Sequence, residues 1–165
     1  MDFSRLNTNR VLVGAIASAL LIISILFLPW YSLAPNAQRV ASDPDTWICG
    51  VGDTSCTGFE TFPILRWLLL LAAAAPLILA YILVRGHKLS YPPGEMTMIA
   101  GFAATVLILY NGIIDKPGAE LAEIDISMGI GYWVALLATV VIAGSGVARV
   151  TASQKGNLRK TPGTV

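Results

Sequence analysis

The chain is predicted to be an all-α membrane protein: a four-transmembrane-helix bundle with both termini cytoplasmic and one disulfide-stapled outer loop. Three observations point there. The 165 residues are 55% hydrophobic and 13% charged, with a mean hydropathy of +0.69, whereas soluble domains carry about 25% charged residues. The apolar residues fall into four continuous blocks, each about twice the length of a barrel strand, so the spans are helices. The positive charges then segregate between the connectors.

The first span, about 11–30, is uncharged and at 1.5 Å per residue reaches about 30 Å, the thickness of the hydrocarbon layer. Its apolar run exceeds that of a signal peptide, so it is expected to stay as a signal-anchor. It closes on "FLPWY". Pro29 disturbs the helix end, and Trp30 and Tyr31 are expected at headgroup level as interfacial anchors, with Trp47 and Trp67 in the same role.

The outer loop 31–62 is the one long polar segment, and Pro35, Pro44, Gly50, Gly52 and Gly58 make it turn-rich. Residues 46–49 suit a short strand, and a small hairpin is possible. Cys49 and Cys56 are the only cysteines. On the oxidising side they are expected to pair, closing a small loop worth roughly 2–3 kcal/mol in the chain-entropy model. Thr57 and Glu60 have capping-box spacing before the second span, about 63–84.

Arg66 enters that span one turn below its boundary. There it either snorkels or forms an ion pair with Asp115, at the outer end of the third span. Pro76 implies a mild kink. The turn "RGHKLSYPPGE" makes a hairpin of spans two and three, and its His87 reads as a solvated loop residue. The third span, about 96–114, carries Asn111 near its end, where an interhelical hydrogen bond is expected. After the outer loop 115–125, the fourth span, about 126–148, carries a row of small residues: Gly131, Ala135, Thr139 and Ala143. That row is expected to face another helix, in the same bundle or on a partner; Gly14 and Ser18 on the first span offer a matching small face. The helical domain thus covers 1–150, and 151–165 reads as a basic, disordered cytoplasmic tail.

Eight Lys or Arg residues (Arg5, Arg10, Arg85, Lys88, Arg149, Lys155, Arg159, Lys160) fall on one side and three (Arg39, Arg66, Lys116) on the other. The richer side, with both termini, is expected to be cytoplasmic by the positive-inside rule, and the expected location is the plasma (inner) membrane.

Chemistry is sparse. No phosphate-cradling glycine loop, metal-ligand cluster or Ser/His/Asp set is present, and the spans lack a central carboxylate. No cofactor, metal or nucleic-acid partner is called for, and no catalytic residue is assigned. The lipid bilayer is the expected environment, with a membrane-protein partner or homo-oligomer.

"FLPWYSL", "TGFETF", "LILYNGIIDKPG" and "GIGYWVALLATVVIAGSGVAR", in that order, resemble the small, uncharacterised four-span membrane proteins of actinobacteria, a resemblance that brings no biochemical activity with it. Trp30, Trp47, Cys49, Cys56 and Arg66 follow the order seen in claudin-type tetraspan outer loops, although the loop is shorter and the Gly-Leu-Trp motif is missing. A Cys pair on four spans is also similar to quinone-linked disulfide-forming enzymes, but the six-residue gap and the lack of a second pair depart from them. The leading expectation is a non-catalytic accessory or structural subunit docking on a cell-envelope complex. The alternatives are a membrane thiol–disulfide oxidoreductase using Cys49 and Cys56, and a small transporter or lipid-binding protein.

Overall fold

The computed structural model describes residues 3–34, 53–85, 93–115 and 126–158. Four long helices dominate it: α1 (Phe3–Phe27), α3 (Leu65–Val84), α4 (Pro93–Leu109) and α5 (Ile130–Leu158), with a one-turn helix α2 (Gly58–Thr61) before α3. Stretches Asn9–Phe27, Leu65–Ile82, Gly94–Ile114 and Ile130–Gln154 are each long and apolar enough to cross a membrane. The helices pack as a bundle in which α5 is central, lying mainly against α4 and α1.

Small residues set that closeness. A Cβ on Gly101 of α4 would come within 2.8 Å of the Ala143 Cα, and one on Gly14 of α1 within 2.8 Å of the Ser145 Oγ. Both interfaces therefore depend on absent side chains, as expected where lipid tails offer helices no hydrophobic reason to associate. Leu21, Ile25, Leu69, Ala73, Ile108, Ala135 and Ile142 fill the interior. Elsewhere the helices show leucines, isoleucines and aromatics outward, among them Leu71 at 68% and Phe102 at 66% exposed, as suits contact with acyl chains.

The bundle is not purely α-helical, and here the all-α expectation is corrected. A three-stranded antiparallel sheet caps one end, in the order β2 (Ser55–Thr57), β1 (Pro29–Leu33), β3 (Ile126–Met128). Tyr31 pairs with Cys56 on one side and Met128 on the other. The first span accordingly stops at Phe27, not Trp30. Pro29 has no amide hydrogen to continue the ladder, and the chain leaves as a strand. The fourth span likewise begins at Ile130, because Ile126, Ser127 and Met128 are taken by the sheet and the Gly129 amide donates to the Trp30 carbonyl at 2.7 Å.

Two other boundaries shift. The third span keeps to Ile114, but its last turn, Tyr110–Ile114, is π-helical. Helix α5 continues to Leu158, so residues 151–158 are helical rather than a disordered tail. The candidate strand at 46–49, Trp47, Cys49 and His87 lie outside the described residues.

Candidate functional site at the aromatic end of the bundle

The sheet end gathers most of the residues that the sequence singles out. Trp30 is 1% and Tyr31 0% exposed, so neither is an interfacial anchor. Trp30 stands edge-on to Phe62 and Tyr132, and Tyr31 to Phe62, with centroids 6.0–6.1 Å apart, while Tyr31 is tilted against Tyr132 at 6.5 Å. Such pairs add about 0.5–1.5 kcal/mol each beyond area burial.

The reason lies in local chemistry. The Trp30 indole N–H donates to the Ser24 carbonyl at 3.0 Å, and the Ser24 hydroxyl donates to the Gly131 carbonyl at 2.6 Å. The ring is thus folded back beneath its own strand and satisfied internally, leaving no polar edge that would favour the headgroups. Glycines make room for it. A Cβ on Gly58 would sit 2.6 Å from the indole, and one on Gly131 2.7 Å. Gly112, in the π-helical turn, lies directly against the Tyr132 ring, whose hydroxyl donates to the Ile108 carbonyl at 3.3 Å.

Tyr31 differs from its neighbours in having a buried hydroxyl without a hydrogen-bond partner. Burial, and secondarily the nearby Tyr132, push its pKa well above the ordinary tyrosine value. Cys56, in the strand beside it, is 0% exposed and is not a free thiol. Its expected partner, Cys49, is outside the described residues.

Arg66 stands at the edge of this cluster. One guanidinium nitrogen, Nη1, donates to the Phe59 carbonyl at 3.1 Å, and the group lies 4.5 Å from the Phe59 ring centroid and 5.6 Å from that of Trp67. Among the described residues no ion pair joins it to Asp115, and its Nε is buried without an acceptor. The expected bridge is replaced by a cation–π stack because α2, capped by a Thr57–Glu60 capping box, places the Phe59 ring and carbonyl within reach. Trp67 itself is 56% exposed. Among the described residues Asn111 makes no interhelical bond; it donates to the Leu107 carbonyl on its own helix at 2.9 Å.

The small row on α5 turns inward. Gly131, Ala135 and Thr139 are buried and Ala143 half-buried. Gly131 meets Leu28, Pro29 and Trp30, while Ala143 meets Gly101 of α4. Its neighbours are therefore this chain's own elements. Sequence reasoning did not single out Tyr132, Phe62 or Ser24, which complete the cluster. The order Trp-Tyr after Pro29, and the Gly-Ile-Gly-Tyr run at 129–132, carry a signal only once the strand between them is known.

Comparison with protein-family models, with curated proteins and with solved structures finds no match.

Proposed function

We propose that this chain is a non-catalytic, multi-pass membrane protein, an accessory or structural subunit whose sheet-capped end is a rigid platform docking on a membrane-protein partner of the cell envelope. The observation that carries the reading is the solidity of that end. Trp30, Tyr31, Cys56 and Tyr132 are each at most 1% exposed, and their rings are spent on one another. A catalytic or ligand-binding end would need a cleft with converging polar groups. A groove between the middles of α1 and α5 is lined by aliphatic side chains alone and brings no such polar groups together.

The thiol–disulfide alternative is weakened by the same burial, since an exchanging cysteine must be reached by the attacking thiolate. In this reading Cys49 and Cys56 form a structural staple, the sheet end faces the oxidising side, and both termini are cytoplasmic. The resemblance to four-span actinobacterial proteins belongs to the same proposal.

Copurification of the tagged protein in mild detergent tests it. A stoichiometric membrane-protein partner supports a subunit, and a lone monomer sinks that idea. The redox reading has its own test: Cys49→Ala/Cys56→Ala should cost yield and thermal stability while leaving the partner bound. Loss of a thiol-oxidising activity would revive the enzyme.

A further inference from the structure

Arg66 is a half-buried cation that its own chain holds in place and does not neutralise. Nη1 donates to the Phe59 carbonyl, and the guanidinium lies over the Phe59 ring, 4.5 Å from its centroid. Trp67, whose ring stands edge-on to Phe59 at 5.9 Å, borders the group at 5.6 Å. Three contacts therefore fix one orientation of a long side chain. Nε is buried without an acceptor, so part of the charge is desolvated and uncompensated. Nη2, by contrast, has no acceptor and is not buried, which leaves it open at the surface. Among the described residues no carboxylate pairs with the group; Glu60, the nearest acid in sequence, is held by Thr57.

The depth of that open nitrogen follows from α3. Arg66 is the second residue of the apolar stretch Leu65–Ile82, so its guanidinium lies at the edge of the hydrocarbon, at headgroup level. The other edge is marked alike, by Arg85, whose guanidinium lies 5.0 Å from the Tyr81 ring centroid. At 1.5 Å per residue the two arginines are about 28 Å apart, close to the hydrocarbon thickness of about 30 Å. Between them Trp67, Leu71, Ile78 and Tyr81 run down a single face at helical spacing, each more than half exposed. Arg85 is itself exposed and rests on one ring alone, so it is not fixed as Arg66 is.

A phosphodiester carrying acyl chains fits this arrangement. It brings a negative oxygen to Nη2 at headgroup depth and hydrocarbon to the bare face below. The planar guanidinium, with its donors in a rigid fork, is suited to phosphate. A partner's helix on the same face would have to bring a carboxylate to that depth, and acids within transmembrane segments are rare.

We propose that Arg66, seated on Phe59 and Trp67, binds the phosphate of one anionic phospholipid in the leaflet at the sheet end, with an acyl chain along Trp67 and Leu71. The proposal rests on the chain spanning a bilayer, and not on its docking to a partner.

Native mass spectrometry and thermal unfolding of the full chain in neutral detergent test it, with phosphatidylglycerol, phosphatidylcholine or glycerol phosphate added. The parent should retain one phosphatidylglycerol, and its midpoint should rise by about 5 °C; the other two should have little effect. Arg66→Gln should lose the adduct and most of the rise. Arg85→Gln, at the exposed cation of the opposite edge, should keep both. Trp67→Leu, at an exposed position, should weaken retention about threefold and decides the matter if Arg66→Gln does not fold. Equal retention of phosphatidylcholine would overturn the charge selectivity, and equal stabilisation by glycerol phosphate would overturn the part of the acyl chain. Unchanged adducts in the Arg66 and Trp67 variants, an equal loss in Arg85→Gln, or a polypeptide held in place of the lipid would overturn the proposal as a whole. Extraction of the protein from membranes by alkaline carbonate would remove its bilayer premise instead.

Discussion

Tyr31 and Gly131 show how tightly single positions are constrained at the sheet end. The Tyr31 hydroxyl is buried and unpartnered, so Tyr31→Phe keeps the ring contacts and removes a desolvated dipole. Thermal unfolding at pH 7 should show a variant as stable as the parent, or more stable by about 1 kcal/mol. The folded state holds the Tyr31 proton more firmly than the unfolded chain does. Stability should therefore be intact below the unfolded tyrosine pKa of about 10 and fall as pH rises beyond it, and Tyr31→Phe should flatten that decline. A loss at pH 7 would mean that the hydroxyl has a partner. Gly131→Ala should cost about 1–3 kcal/mol, because the new methyl meets Pro29 and Trp30. Gly144→Ala, with nothing within 4 Å, should be neutral or slightly stabilising.

Among the elements, β1 depends on its junction with α1. Ser24→Ala would leave the Gly131 carbonyl without its donor and weaken the anchoring of the Trp30 indole. A loss of about 1–3 kcal/mol in detergent unfolding is the expected result, and no loss would show that the junction is held by packing alone. Asp115→Asn should leave stability unchanged, as Arg66 is occupied by Phe59. These elements also show what the sequence could and could not reveal. The four apolar helices were legible because membrane spans are marked by length and composition, and the Thr57–Glu60 box because capping is local. The strand was not. Its burial, half-buried at Pro29 and Ser32 and buried at Trp30, Tyr31 and Leu33, lacks the alternation that marks a strand, because the register shifts between Pro29 and Tyr31. Trp and Tyr at a span's end fit an interfacial belt equally well. Only the partner strands, distant in sequence, decide between the two.

At the scale of the whole molecule, the helices read as a membrane bundle with α5 at its centre, and its orientation is open to direct test. A cysteine at Ser153 should resist a membrane-impermeant thiol reagent in intact cells, and one at Ala122 should label; the reverse would invert the proposed topology. The sheet order adds a consequence for biosynthesis. The strand nearest the N-terminus is the middle one, hydrogen-bonded to residues up to Met128. It leaves the translocon with both edges bare and gains its second neighbour only when the last transmembrane helix is being made. Until then Trp30 and Tyr31 have no Tyr132 to pack against. Pairings this remote in sequence form late and leave sticky intermediates exposed. Nascent chains stalled before Ile126 should accordingly be the species that membrane chaperones hold and quality-control proteases remove, and release of the complete chain should end that interval of vulnerability.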